Sequence, residues 1–255
     1  MKFGYFLASL LAMSISAYAD ESLDDYAIIP YRPSVSSPAQ LPSAGHLELE
    51  LGGLSSKTND EHRNSVPYGL KLAFNQEWGI LVGGEAYVST NDGQGKQDYG
   101  FGDTTLVLKH AFLMSDTTAM GLEFGVKLPT AKDSVGSGKT DYSVNGILSH
   151  DFGDVHLDAN LNFTHVGLVN AGEASIQTGE AASFSYPLNE KLAVIAELSG
   201  VQRSGTASTA QLLTAITYSP SKVLTFDVGA AKGLNQASQD YSLFFGMVLP
   251  IAKLW

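Results

Sequence analysis

Hydrophobic and polar residues alternate with a period of two along most of this chain. The pattern is clearest at 47–51, which reads Leu-Glu-Leu-Glu-Leu, and at 120–128. Because successive side chains of a β-strand point to opposite faces, the alternation predicts strands with one apolar and one polar face. Turn signals divide it into about twelve strands, near 45–56, 66–76, 78–90, 99–114, 117–130, 140–152, 155–168, 174–187, 191–203, 207–219, 222–234 and 239–252.

The connections between these strands alternate in length. Short turns are expected at 75–77, 115–116, 153–154, 189–190 and 219–221, and longer polar links at 56–65, 91–98, 131–139, 169–173, 205–208 and 235–239. An even strand number with short turns at one end is typical of outer-membrane barrels. We therefore predict an all-β fold: a single antiparallel transmembrane β-barrel of about 12 strands, with short periplasmic turns and longer outer loops. A β-sandwich with aromatic core residues is the alternative.

Aromatic residues at the predicted strand ends favour the barrel, because such rings prefer membrane interfaces. One predicted girdle, at the periplasmic rim, consists of Phe74, Phe112, Phe152, Tyr186 and Tyr218. Tyr68, Tyr142 and Tyr241 lie at the opposite ends and would mark the outer rim. The last strand alternates towards Trp255, which resembles the C-terminal signal that barrel assembly machinery recognises, although Pro250 and Lys253 interrupt its pattern.

The N-terminus has the features of a signal peptide. Lys2 precedes an apolar run over 3–15, and small residues end in Ala17-Tyr18-Ala19. The run is too short to span a bilayer as a helix, although an uncleaved anchor is the alternative. We expect residues 1–19 to be removed, 20–44 to form an extended Pro-rich periplasmic segment, and 45–255 to form the barrel. The segment either enters the barrel as a partial plug or remains a solvated tail.

Composition narrows the class of protein further. The 255 residues include 26 Gly and no Cys, which excludes a disulfide framework and thiol enzymes. Removing 1–19 takes away one Lys and no acid, so the net charge falls from −11 to −12, and nucleic acid is not an expected partner. The expected partners are outer-membrane lipids, the barrel assembly machinery and a small-molecule solute, in the outer membrane of a Gram-negative bacterium.

If the apolar face contacts lipid, the other face lines the lumen. The predicted lumen-lining residues are Glu48, Glu50, Lys71, Glu85, Asp103, Lys109, Glu123, Lys127, His156, Asp158, Asn160, Asn162, Glu197 and Asp227. This set predicts a polar and mainly acidic interior. A Lys or Arg facing lipid at mid-membrane would cost about 2–4 kcal/mol, which explains their near absence from the apolar face. Glu180 breaks the pattern, and we expect a β-bulge that turns it inward or a position at the rim.

The same lining is compatible with two functions. Acidic rings would favour cations in a solute path, with lysines narrowing the bore. A self-satisfied network of ion pairs would instead seal the interior and leave a structural or adhesive role to the outer loops. Barrels of about eight strands are filled by side chains, and those of 16 or more hold aqueous channels. A barrel of about twelve strands can therefore have either an open or a sealed lumen.

A hydrolase is a third and weaker hypothesis. Ser149 precedes His150 and Thr164 precedes His165, but neighbours in a strand face opposite sides and cannot form a nucleophile and base pair. We therefore predict no catalytic residues and no enzyme. No His or Asp cluster has metal-ligand spacing, so neither a metal nor a cofactor is expected.

Two segments carry a family resemblance. Residues 31–38 (Tyr-Arg-Pro-Ser-Val-Ser-Ser-Pro) and 41–50 are similar to the opening of the phenol-degradation meta-pathway (MetA) family of outer-membrane β-barrels. Residues 127–153 resemble that family's L-P-T-G…G-x-G…D…L-S-x-D-L-G segment, from which Ala131 and Phe152 depart. The resemblance implies a barrel of the kind labelled a transporter, associated with uptake of aromatic or other hydrophobic compounds.

Overall fold

A computed structural model describes residues 26–132 and 134–255. The predicted signal peptide therefore lies outside the described residues. The strands are β1 (His46–Thr58), β2 (Glu61–Ala73), β3 (Trp78–Asn91), β4 (Gln97–Gly100), β5 (Thr104–Ser115), β6 (Thr118–Leu128), β7 (Asp141–Phe152), β8 (Val155–His165), β9 (Ile176–Pro187), β10 (Leu192–Arg203), β11 (Thr209–Ser221), β12 (Leu224–Gly233) and β13 (Tyr241–Lys253). No helix within the described ranges is long and apolar enough to cross a membrane.

The strands form one closed antiparallel barrel. Neighbours in sequence pair along the wall, and β1 closes the circle by pairing with β13. The short β4 pairs with the last residues of β3, and β5 pairs with its first residues. Together, β4 and β5 occupy one position in the wall, which gives the predicted twelve strands. Gly102, between them, donates its amide to the Glu85 carbonyl at 2.9 Å.

The two ends of the barrel differ, as the link lengths predict. We call one the turn end, with short turns at 74–77, 116–117, 153–154, 188–191 and 222–223, and the other the loop end, with links at 59–60, 92–96, 129–140, 166–175, 204–208 and 234–240. The predicted long link over 56–65 is wrong. It is a tight turn in which Asn59 has a φ of 54°, a conformation that Asn tolerates better than most residues. The turn predicted at 219–221 is also shifted, because β11 continues to Ser221.

The longer β2 changes the position of one predicted interface residue. Tyr68 was expected at the outer rim, but β2 begins at Glu61, so Tyr68 lies in the middle of its strand opposite Leu51 and Gly84. The other predicted interface aromatics lie at or beside strand ends and are 43–58% exposed. Trp78 joins them at the turn end, where its ring stacks on His110 at 4.3 Å.

Burial is distributed in the opposite way to a soluble protein. Many large apolar side chains are exposed on the outer face, Val228 and Phe245 among them at 58% and 66%. The largest fully buried side chains include Lys71, Lys109 and Glu48. Since Lys and Glu are almost never fully buried in soluble proteins unless paired, this distribution is that of a barrel with lipid outside and polar groups within.

Glu180 lies on the outer face, so the predicted inward bulge is wrong. The register is regular on both sides of β9, with Glu180 opposite Leu161 of β8 and Gly200 of β10. It is the fifth residue of β9 and thus not at the rim either. Its carboxylate accepts a hydrogen bond from Gln202 Nε2 at 2.7 Å, which partly satisfies the charge.

Part of the interior is apolar, contrary to the predicted polar lining. Leu213, Ala215, Ala231 and Phe244 form a buried cluster on β11–β13. A carbon atom added at Gly229 would lie 2.5 Å from the Phe244 ring, so this glycine makes room for the ring. The cluster fills one side of the barrel at mid-height.

Candidate functional site

The N-terminal residues 26–45, which we call the inner segment, lie inside the barrel. The segment begins at the turn end, where the Ile28 amide donates to the Lys222 carbonyl at 3.0 Å. It ends there as well, at Gly45 beside the start of β1. Between these points it bonds to side chains of β1, β2, β5, β7, β8, β10 and β12. A chain that touches walls on all sides must occupy the lumen.

Two buried lysines hold one side of the segment. Lys71 forms ion pairs with Glu48 at 3.0 Å and Glu50 at 2.7 Å. Lys109 pairs with Glu123 at 3.1 Å. Each ammonium also donates to a backbone carbonyl of the segment, from Lys71 to Ile29 and from Lys109 to Pro38. The wall therefore supplies the donors that the segment's carbonyls would find in a strand ladder.

Tyr31 lies between these two lysines. Their ammonium groups are 4.3 and 4.2 Å from the centre of its ring, a cation–π arrangement. Its backbone amide donates to Glu50 at 2.7 Å, and its hydroxyl donates to the Gln40 carbonyl at 2.7 Å. Burial, and then the nearby carboxylates of Glu123 and Glu50, raise the pKa of the Tyr31 phenol well above its ordinary value. The phenol therefore stays neutral and acts as a donor.

Arg32 anchors the segment on β12 and β13, the strands beside β1. Its guanidinium makes two hydrogen bonds of 3.1 Å to the carboxylate of Asp227 and a third to the Phe245 carbonyl. Two glycines leave the space for it. A carbon atom added at Gly246 would lie 2.7 Å from the guanidinium carbon, and one at Gly52 would lie equally close.

A second group of contacts lies against β8 and β10. The Glu197 carboxylate is buried and accepts hydrogen bonds from the Val35 amide at 3.1 Å and the Ser36 amide and hydroxyl at 2.9 Å. The Asn160 side chain exchanges two 2.9 Å hydrogen bonds with the backbone of Ser37. Here the segment is held by hydrogen bonds to its backbone and to the Ser36 hydroxyl, without a bridging cation.

The predicted lumen-lining residues fall into two groups in the structure. Ten contact the inner segment or one another around it: Glu48, Glu50, Lys71, Lys109, Glu123, His156, Asp158, Asn160, Glu197 and Asp227. Four lie nearer the loop end: Glu85, Asp103, Lys127 and Asn162. In this second group, Glu85 accepts two 2.6 Å bonds from Arg63, and Lys127 pairs with Asp141 at 2.7 Å.

Sequence reasoning missed several partners of these residues. Arg63 falls within the link predicted at 56–65, and Tyr31 and Arg32 lie in a segment without strand periodicity. Asn145 was detectable, since it has the inward parity of β7; its amide donates to Glu123 at 2.9 Å and to Asn160 at 3.0 Å. The alternation thus carried the signal for Asn145 but not for the other three.

A serine, a histidine and two aspartates also meet near the turn end. Ser149 donates to Asp158, and His156 lies between Asp151 at 2.6 Å and Asp158 at 3.2 Å. Ser149 is 1% exposed and accepts the Ala39 amide at 2.8 Å. Its hydroxyl bonds to a carboxylate rather than the imidazole and is covered by the segment, so it lacks the geometry of an activated nucleophile. Within residues 26–132 and 134–255, no group of acidic and histidine side chains is arranged to hold a metal ion.

Two cavities lie along the wall formed by β8–β11. The upper cavity, of about 460 Å³, extends from Val35 to the loop end. The lower cavity, of about 350 Å³, lies between the inner segment and the turn-end half of the same wall. On β10, Ile195 lines the lower cavity and Ser199 the upper one. Glu197 stands between them, where it binds Val35 and Ser36.

An apolar groove of about 680 Å³ lies around Gly146, where Met120, Leu148 and Leu161 contribute to its lining. The pairing of β6 with β7 and of β7 with β8 is regular throughout this region. A regular hydrogen-bond ladder leaves no gap for a solute. The groove is therefore a depression in the outer face rather than a side exit from the lumen.

Comparison with known proteins agrees with this architecture. A family model described as "Putative MetA-pathway of phenol degradation" matches residues 32–250. The chain is similar to the crystal structure of an outer membrane channel from Pseudomonas putida F1, with a TM-score of 0.64 and 13% identity over 89% of this chain and 98% of that one. No curated protein sequence matches the chain.

Two further solved structures share the fold. The NanC porin has a TM-score of 0.57 and 9% identity, over 79% of this chain and 98% of that chain. The CymD monoaromatic hydrocarbon channel has a TM-score of 0.50 and 11% identity, over 82% and 89%. At such low identities the similarity establishes the fold alone, which is that of outer-membrane β-barrels.

Proposed function

We propose that this chain, which belongs to the phenol-degradation MetA family, is an outer-membrane channel for the passive diffusion of small molecules. In this proposal the turn end faces the periplasm, and the solute passes along the wall of β8–β11. The observation that carries it is the pair of cavities on that wall, which are separated where Val35, Ser36 and Ser37 meet Glu197 and Asn160.

The contacts of the inner segment differ in kind around the lumen. On one side, Lys71, Lys109 and Arg32 hold it through buried ionic contacts, and losing one partner of such a pair costs about 3–5 kcal/mol. On the channel side, the contacts are hydrogen bonds, whose groups water or an entering polar solute can satisfy in turn. A local shift of residues 34–37 would therefore join the two cavities while the anchors stay in place.

Planar-bilayer conductance of three proteins tests this function. We expect small or infrequent currents from the wild type and a larger open fraction from Glu197→Gln, because the amide is a weaker acceptor for Val35 and Ser36. Glu180→Gln is the matched control, since that residue lies on the outer face, and its currents should equal those of the wild type. Absence of current and of liposome swelling in all three would refute the channel.

A lumen-sealed barrel is the second candidate. The complete burial of Lys71 and Lys109 beneath the inner segment favours it, because their network already satisfies itself without solute. Such a barrel would act through its outer loops, as a structural or adhesive protein. It predicts no conductance for the wild type or for Glu197→Gln, which is the opposite of the channel's prediction.

A further inference from the structure

The upper cavity has an unusual lining for a barrel with so many charged residues. Its side chains are mostly neutral amides and hydroxyls, represented by Asn145, Asn160, Asn162, Gln177, Ser199 and Gln211. Glu180 also borders it, but that carboxylate points to the outer face and is bonded to Gln202. The lining contains no aromatic ring and no Lys or Arg.

Several of these polar groups have unused hydrogen-bonding capacity. The Gln177 side chain makes no hydrogen bond to any residue in the described part of the chain. Asn145 is 9% exposed, and its Oδ1 is buried and lacks a partner among the described residues. The Asn162 oxygen accepts from Thr164 at 2.7 Å, which leaves its amide hydrogens available. The cavity thus presents both donors and acceptors to whatever enters it.

These features distinguish between classes of ligand. An anionic ligand would need Arg or Lys, which the lining lacks. A cationic ligand would need a free carboxylate, but Glu123 is already bonded to Lys109 and Glu197 to the inner segment. An apolar ligand would cover the buried Asn145 oxygen without bonding to it, which is costly. A sugar hydroxyl both donates and accepts, as these amides do.

We propose that the upper cavity binds neutral polyhydroxylated molecules of the carbohydrate class. The inference deepens the proposed function, on which it rests for the claim that the bound molecule is also the transported one. A cavity of this volume is within the usual range of small-molecule sites, about 300–1,000 Å³. This ligand class differs from the aromatic and hydrophobic compounds that the family resemblance implies.

Equilibrium binding to the purified barrel tests the inference independently of transport. Isothermal titration should be carried out in an amine-oxide detergent, because maltoside head groups would themselves occupy a sugar site. The probes are sucrose, phenol, gluconate and glucosamine. We expect sucrose to bind more tightly than the other three. Stronger binding of phenol or gluconate would overturn the proposal.

Two variants and a matched control locate the site. Gln177→Leu should weaken sucrose binding about tenfold or more, because a site that hydrogen-bonds hydroxyls depends on each polar group. Gln202→Leu removes a glutamine from the outer face and should bind sucrose like the wild type. Gln177→Glu keeps the side-chain length and should bind glucosamine more tightly than the wild type does. Equal losses in Gln177→Leu and Gln202→Leu would overturn the site.

Binding and conductance can fail separately. Sucrose binding without any conductance would support the cavity and refute the channel. Conductance without sucrose binding would support the channel and refute this inference.

Discussion

At the scale of single residues, the least expected feature is that lysines occupy the centre of the molecule. Lys109 is fully buried, and Glu123, the Pro38 carbonyl and the Tyr31 ring surround its ammonium group. A charge at such a place is stable only when it is paired. Lys109 therefore couples the wall of the barrel to the inner segment.

We predict that Lys109→Met destabilises the barrel by about 3–5 kcal/mol, because it leaves Glu123 buried without its cation. Equilibrium unfolding in detergent, followed by circular dichroism, measures the change. The double variant Lys109→Met with Glu123→Gln should recover part of the loss. The exposed Lys96, which pairs with Asp98, is the control, and Lys96→Met should unfold like the wild type. Equal unfolding of Lys109→Met and wild type would contradict this account.

Gly246 provides a second prediction at this scale. In Gly246→Ala the new methyl group would collide with the Arg32 guanidinium and separate it from Asp227. We expect faster chymotrypsin cleavage after Tyr31, because the inner segment is then less firmly held; trypsin does not cut after Arg32, since Pro33 follows it. Gly69→Ala is the matched control, since a carbon atom there would lie 3.8 Å from its nearest neighbour, Glu50. Unchanged cleavage of Gly246→Ala would show that Arg32 does not depend on this space.

Sequence reasoning at the residue scale reached the inward-pointing charges but not their partners. Alternation assigns Lys71 and Glu48 to one face, because the pleat of a strand fixes that face. Alternation cannot predict that Lys71 bonds to Ile29 and Glu48 to Tyr26, since those contacts depend on the path of a segment without periodicity. Glu180 was misassigned because its partner Gln202 lies on the next strand.

At the scale of elements, strands were more predictable than the connections between them. The alternation predicts the twelve strands of the wall. It does not predict the break that separates β4 from β5. Over 101–103 the backbone leaves the ladder and retains one bond, from Gly102 to Glu85. The extended inner segment was also predictable, because its four prolines, at 30, 33, 38 and 42, lack amide donors. The strands that the segment contacts could not be predicted from the sequence.

The turn between β1 and β2 gives a prediction at this scale. Asn59 has a positive φ of 54°, which a β-branched residue adopts at a cost of roughly 1–2 kcal/mol. Asn59→Val should lower the free energy of unfolding by about that amount, whereas Asn59→Gly should leave it nearly unchanged. Chemical unfolding of both variants in detergent measures this difference. Similar stabilities of the two variants would mean that the turn does not require the left-handed conformation.

At the scale of the whole molecule, apolar and charged groups have exchanged places. Exposed Leu, Phe and Val cover the outer face, while carboxylates and ammonium groups pair within. The rings at the turn end, from Phe74 to Tyr218, suit one membrane interface. Orientation in the membrane, a role for Trp255 in assembly and cleavage of the signal peptide stay predictions.

The two cavities are the feature of the whole molecule that favours a channel. Both lie on the β8–β11 wall, and the inner segment separates them at Glu197. A polar interior alone is compatible with a sealed barrel, as the sequence already indicated. The central claim is therefore that residues 34–37 close a path which opens when they move.

Fixing the segment covalently tests this claim most directly. The Asn160 side chain exchanges two 2.9 Å hydrogen bonds with the Ser37 backbone, so a short bifunctional thiol reagent that joins Ser37→Cys to Asn160→Cys would fix the segment within residues 34–37. The chain has no other cysteine, and Ser37→Cys alone is the control for the reagent. In planar bilayers we predict current from the unlinked double variant, loss of that current on cross-linking, and its return when a reductant removes the cross-link. Equal currents in the linked and unlinked states, or none in either, would contradict the account.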